Sequence, residues 1–254
     1  MLAHERQQLI MQLLQETGSI RISEITQRFD VSNETARRDL DYLHKRGLVR
    51  RVHGGADLIV TNSENAVNVP DEDNSAISTL EALANAAAQH VVESDIIFIG
   101  HGETMYQLAK VLRSKKNLTV LTNSLRVINE LADSPVTLYS LGGLVDRDEQ
   151  NMGGSIPISV IQKFYATKAF ISCGGISANG NVSDYNNDGT LLNMMLQLAD
   201  QRYLVADSSK FGRHAFCHVC NLNDFDSVIS DSALPDSFKN LLENCGTNLH
   251  IADN

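Results

Sequence analysis

The chain has 254 residues, enough for two domains and a sizeable core. With 43% hydrophobic and 20% charged residues, and no apolar run near the roughly 18 residues of a membrane span, it reads as a cytoplasmic globular protein without a secretory leader. The formal net charge of -10 argues against nucleic acid until its distribution is seen: residues 1–55 hold nine Lys/Arg and seven Asp/Glu, and the remainder twelve and twenty-four.

A mildly basic head therefore precedes an acidic body. In the head, Leu9, Ile10, Leu13 and Leu14 are spaced for one helix face that Gly18 ends. Ile20-Arg21-Ile22 alternates like a short strand, and Ser23 is placed to cap a second helix over residues 25–29. Ser32 is placed to cap a third, with Glu34 against its positive end and Gly47 closing it after Lys45-Arg46. Strands over 48–52 and 56–60, joined by His53-Gly54-Gly55, make a hairpin wing.

Residues 61–75, polar with one proline, are predicted as an exposed linker between a domain at 1–60 and a second at 76–254. From there helices at 76–92, after Gly102, at 125–131 and at 156–164 alternate with strands at 96–99, 118–122, 136–141, 169–173 and 202–206. Such alternation predicts an α/β fold whose largely parallel sheet is covered on both faces and binds ligands at the carboxyl ends of its strands.

On the third helix Ala36, Leu40 and Leu43 form one buried stripe, so Glu34, Arg38, Asp41 and Lys45 point away from it and Asn33, Thr35 and Arg37 flank it. In a helix-turn-helix that N-terminal half meets base edges in the major groove. Arg37 or Arg38 suits guanine and Asn33 adenine, while Ser32, Thr35 and the helix amides suit phosphates. Arg50, Arg51 and His53 give the wing cations for backbone or minor groove. The competing reading is a protein-docking module with a solvated charged face.

The string Val31-Ser32-Asn33-Glu34-Thr35-Ala36-Arg37-Arg38-Asp39-Leu40, continued by Leu43, Gly47, Arg50 and His53-Gly54-Gly55-Ala56, closely resembles the signature of the DeoR family of bacterial sugar-metabolism regulators. Residues 98–104, 121–125, 141–143 and 207–213 look like that family's C-terminal domain. The resemblance implies a body similar to the ribose-phosphate isomerase fold, double-stranded operator DNA and a phosphorylated sugar or sugar derivative as partners, repression, and a homodimer or homotetramer. It implies no cofactor, metal or catalysis. Within that frame Gly102, Glu103 and Thr104 lie between a strand and a helix N-terminus that could hold a phosphate. Asn123 and Ser124 occupy the next such turn, Gly142 and Gly143 permit close approach, and Lys210 adds a positive charge.

The chain departs from the family where Asp-x-Gly-Thr-Thr becomes Gly100-His101-Gly102-Glu103-Thr104, where a lysine becomes Leu80, and around Asp188-Gly189 and Asn193. Glu103 would repel a phosphate unless a cation intervenes. His214, Cys217, His218 and Cys220 have a spacing that could hold zinc, with plain thiols as the simpler reading, and the four cysteines make no disulfide framework. An alternative function is a sugar-phosphate-converting enzyme carrying a DNA-binding head, with His101, Glu103 and Asp207 as acid/base candidates. A DNA-binding architectural protein without a ligand is a third reading.

Overall fold

The computed structural model describes residues 3–45, 48–52, 54–58, 72–147, 149–185 and 189–252. It forms two compact units, residues 1–68 and 69–254. Among the described residues no helix is long and apolar enough to cross a membrane.

The first unit runs α1 (Ala3–Thr17), β1 (Ser19–Arg21), α2 (Ile22–Phe29), α3 (Asn33–Lys45), β2 (Val49–Val52) and β3 (Gly55–Leu58). Three helices and a sheet of order β1-β3-β2 make a winged helix-turn-helix. Ile10, Leu14, Ile25, Ala36 and Leu40 are fully buried together, as a 3.6-residue period requires. A Cβ on Gly55 would lie 2.1 Å from the Ile20 carbonyl oxygen, so only glycine lets β3 lie this close to β1.

Ser23 does not cap α2. The helix starts two residues earlier, after Arg21, and the Ile22 N–H donates to the Gly54 carbonyl at 2.7 Å. A distant turn thus satisfies the first amide of the helix, and Ser23 lies inside the first turn and not at its cap. Gly47, His53 and residues 59–60 lie outside the described residues.

The second unit opens with α4 (Glu72–Ala88), which begins inside the segment predicted as linker because Glu72-Asp73-Asn74-Ser75 continues into its alanine-rich run. Next come β4 (Ile96–Ile99), α5 (Glu103–Leu112), β5 (Thr119–Thr122), α6 (Leu125–Leu131), β6 (Thr137–Ser140), β7 (Leu144–Asp146), β8 (Asn151–Gly153) and α7 (Ser155–Ile161). The chain then forms β9 (Ala166–Ile171), β10 (Gly175–Ile176), β11 (Asn181–Asp184), α8 (Gly189–Gln197), β12 (Ala199–Val205), β13 (Cys217–Asn221), β14 (Ser227–Ser230), α9 (Asp236–Cys245) and β15 (Asn248–Ile251).

Seven strands pair in parallel in the order β15-β14-β12-β9-β4-β5-β6. Alternation assigns their side chains to two cores. Ile97, Ile99, Phe170 and Val205 pack with α4 and α5 residues such as Leu83 and Leu108, while Phe98, Ala169, Ile171 and Leu204 pack on the other face with Leu192, Met195 and Leu242. The predicted α/β body with a sheet covered on both faces is what forms. Two small sheets, β7-β8 and β10-β11-β13, add to it.

The order places the topological switch between β4 and β9. From β4 the chain adds β5 and β6 on one side, then returns to add β9, β12, β14 and β15 on the other. The carboxyl ends of β4 and β9 therefore flank the crevice where open parallel sheets bind ligands.

Candidate functional site

In the head, α3 is capped as predicted: the Thr35 N–H donates to Ser32 Oγ at 3.2 Å and the Ala36 N–H to the Ser32 carbonyl at 3.0 Å. The Ser32 and Thr35 hydroxyls lie 2.9 Å apart. Asn33, Arg37 and Arg38 are exposed on the half that would enter a groove. Arg38 Nε sits 3.2 Å from Glu34 Oε1, and such an exposed i,i+4 pair is worth only about 0.3–0.5 kcal/mol, so little holds its guanidinium in place. Arg50 and Arg51 lie on β2, paired with Asp57 and Ala56 of β3, and His53 lies outside the described residues.

Sequence reasoning missed what fixes α3. Asp39 is buried on it, accepting from Arg6 Nε of α1 at 2.5 Å and from Gln7 Nε2 at 2.9 Å. Its signal was available, because Ala36, Asp39, Leu40 and Leu43 fall at i, i+3, i+4 and i+7, and a carboxylate on a buried stripe demands a buried cation.

In the body, the loop after β4 occupies the switch point. Gly102 adopts φ 100°, a conformation open to glycine, and begins α5 with Glu103 as its first residue. Glu103 is not unopposed there. Its carboxylate pairs with Arg126 of α6, whose guanidinium lies 4.2 Å over the Tyr106 ring, and accepts from Gln107 Nε2 at 3.0 Å. Arg126 thus balances the Glu103 charge, a partner that the sequence did not locate.

Thr104 is buried. Ser124 caps α6, accepting from the Val127 N–H at 3.4 Å. Gly143 is needed for packing: a Cβ there would lie 2.5 Å from the Gly153 carbonyl oxygen and 2.9 Å from Pro157. Gly142, with φ 70°, turns the chain after β6. Lys210 ends a short 3-10 turn after β12, headed by Asp207, which accepts from the Ser209 N–H at 3.0 Å. Asp188 lies outside the described residues, while Gly189 opens α8 and Asn193 donates to the Val219 carbonyl at 2.9 Å.

His101 Nε2 lies 2.9 Å from Asp184 Oδ2 of β11, and both side chains are about nine-tenths buried. Burial alone would lower the imidazole's pKa, but the hydrogen bond and charge of Asp184, with the charges of Glu149 and Asp146, outweigh it and raise it above 6.5. Asp146 and Glu149 belong to the β7–β8 hairpin, which therefore lies near this loop. Cys173, just past β9, is pushed well up by burial and by Asp184 and Asp207, with Lys210 opposing. Loop 100–104, the hairpin, Asp184, Cys173, Asp207 and Lys210 are thus neighbours.

A histidine with a raised pKa stabilises the fold fully below its unfolded value, about 6.5, and that contribution is lost as pH rises through the folded value. We expect the body's melting temperature to lose this contribution on alkalinisation, and His101→Gln to remove that part of the pH dependence. His90 has the opposite sign, its pKa lowered by burial, His250 and Lys168, so the comparison of wild type with variant isolates His101. Curves of equal slope would contradict the pair's role.

Each acid/base candidate is already engaged: His101 with Asp184, Glu103 with Arg126, and Asp207 with its own turn. Cys220 is buried in the hydrophobic core with its thiol pushed up by burial, and among the described residues no three metal-ligating side chains cluster.

The DeoR-like helix-turn-helix domain matches residues 6–62 and the DeoR C-terminal sensor domain matches residues 76–232. The chain is 34% identical over 244 residues to the Bacillus subtilis HTH-type transcriptional regulator YulB, covering 95% of this chain and 94% of that protein. To the Lactococcus lactis lactose phosphotransferase system repressor it is 33% identical over 234 residues, covering 90% and 91%. Among solved structures, ribose 5-phosphate isomerase A from Methanocaldococcus jannaschii matches with a TM-score of 0.36 at 14% identity, over 52% of this chain and 53% of that one. With both of its units matched, the chain belongs to the DeoR family: it is a DNA-binding transcriptional regulator, not an enzyme.

Proposed function

We propose that the chain represses a carbohydrate catabolic operon and releases its operator when a sugar phosphate or related sugar metabolite binds at the carboxyl end of the parallel sheet. The observation that carries this reading is the meeting at one switch point of polar groups far apart in sequence, on a body whose head presents an exposed reading helix. The sugar class is supported by the lactococcal relative, a lactose phosphotransferase system repressor. In this reading residues 1–60 read DNA, residues 61–75 connect, and residues 76–254 sense and oligomerise.

A homodimer or homotetramer suits a two-fold operator. Leu144, 79% exposed, with Val145, Ile156 and Tyr139, supplies apolar surface near the β6 edge for such contacts. The test is release of a labelled operator duplex, recovered by selection from random DNA, on titration with sugars and sugar phosphates. We expect at least one to lower operator affinity by about tenfold or more, within the usual range of allosteric coupling. Affinity unmoved by every one of them would contradict an effector-relieved repressor.

A further inference from the structure

We infer that the body dimerises edge to edge, β6 pairing antiparallel with β6 of a second copy of this chain so that one sheet runs through both bodies. This rests on the reading above that the body oligomerises, and it names the strand and the register.

Strand β6 ends the seven-stranded sheet. The Thr137 N–H donates to the Leu118 carbonyl and the Leu141 N–H to the Thr122 carbonyl, each at 2.9 Å, so alternate residues 137, 139 and 141 bond β5. Leu138 and Ser140 therefore turn their backbone N–H and C=O groups outward. Protected edges carry charge, proline or a bulge. Thr137-Leu138-Tyr139-Ser140 carries none of these and pairs with β5 without a register shift.

The neighbouring segments match the edge. Residues 134–145 and 150–162, which include β6, β8 and α7, contain no Lys, Arg, Asp or Glu. Tyr139, Leu144 and Ile156 are exposed on them. Ile156 Cγ2 lies 3.7 Å from where a Cβ on Gly142 would stand, just past β6, and the Tyr139 ring lies 5.6 Å from that of Phe164, just past α7. Apolar surface thus borders the open strand.

Charge selects the occupant. Residues 56–254 hold twelve Lys/Arg and twenty-four Asp/Glu, so two bodies repel wherever their charged faces meet and approach best through an uncharged one. A basic partner would be drawn to the acidic faces instead. The opposite edge strand, β15, carries His250 and begins beside Asp226, which is paired with Arg202.

Two-fold symmetry then sets the register. Leu138 and the partner's Ser140 exchange both backbone hydrogen bonds, as do Ser140 and the partner's Leu138. Tyr139 falls opposite the partner's Tyr139 in a non-hydrogen-bonded pair, with Cα atoms about 4.5 Å apart.

The test is sedimentation equilibrium of the full chain as wild type, Ser140→Pro and Ser140→Ala. Proline removes an outward N–H that the pairing with β5 does not use. Both variants lose the bond that Ser140 Oγ accepts from the Gly142 N–H at 3.3 Å, so alanine is the control. We expect a dimer or tetramer in wild type and in Ser140→Ala, and a dissociation constant raised about tenfold or more in Ser140→Pro, with circular dichroism showing each variant folded. Tyr139→Cys, made with Cys245→Ser to remove the exposed native thiol, should form a disulfide-linked dimer on mild oxidation that Cys245→Ser alone does not form. Tyr139 is exposed, so this variant serves if the proline variant does not fold. An oligomer equally tight in folded Ser140→Pro, or no cross-link through Cys at 139, would overturn the inference and leave the oligomer standing. A monomeric wild type would overturn both and leave the edge to a strand of another protein.

Discussion

Replacement of Asp39 by alanine should unfold the head while the body melts as before. Arg6 and Asp39 retain only 8% and 4% of their side-chain exposure, and the carboxylate also accepts from Gln7. Removing one partner of such a pair leaves a buried charge uncompensated and costs about 3–5 kcal/mol. A head of roughly 60 residues has little more than that to lose. Denaturant unfolding should show the head transition moved to low denaturant, with operator binding lost alongside it. Arg6→Met combined with Asp39→Leu should recover much of the stability, since both charges then go together. A head that resists denaturant as the wild type does would show the pair to be dispensable.

Arg37→Ala and Arg38→Ala should each leave both units folded and weaken specific operator binding. Each guanidinium is exposed on the N-terminal half of α3, the half proposed to face a groove, and a bidentate contact to guanine is worth about 1–3 kcal/mol, or about five- to a hundredfold in affinity. Arg38 has first to leave Glu34, a modest cost for an exposed pair. Anisotropy titrations on operator and scrambled duplexes separate the two roles. A residue that reads a base loses discrimination, while one that holds phosphate loses affinity evenly on both. Unchanged affinity in both variants would remove α3 as the reading helix.

Local periodicity made most of the scaffold legible. The stripe Ala36, Leu40, Leu43 and the short apolar runs in β4, β5 and β12 are written in neighbouring residues, and burial follows them. Elements without such a pattern escaped: β10 is two residues long, and β11 and β15, Asn181-Val-Ser-Asp and Asn248-Leu-His-Ile, carry few apolar positions. Helix α9 could have been found, since Pro235 and Asp236 open it, Phe238 and Leu242 sit four apart, and Gly246 ends it in the left-handed conformation.

The candidate site divides along the same line. Gly102, Glu103 and Asn123 follow strands and so announced themselves. Asp184 meets His101 across 83 residues, and Arg126 meets Glu103 across 23. Only the pairing of distant strands, absent from any local pattern, brings them together. The same limit explains Ser23, since the helix starts at Ile22, whose N–H is met by Gly54 from the wing.

The most direct test of the central claim is selection of bound duplexes from random DNA, followed by titration of the selected and a scrambled sequence across salt concentrations. The account predicts an enriched two-fold sequence with half-sites about one helical turn apart, bound about a thousandfold or more tighter than the scramble. It also predicts that log affinity falls steeply with log salt, because an acidic chain holds DNA through a localised cationic patch that releases counterions. No enriched sequence, together with an affinity indifferent to salt, would contradict it.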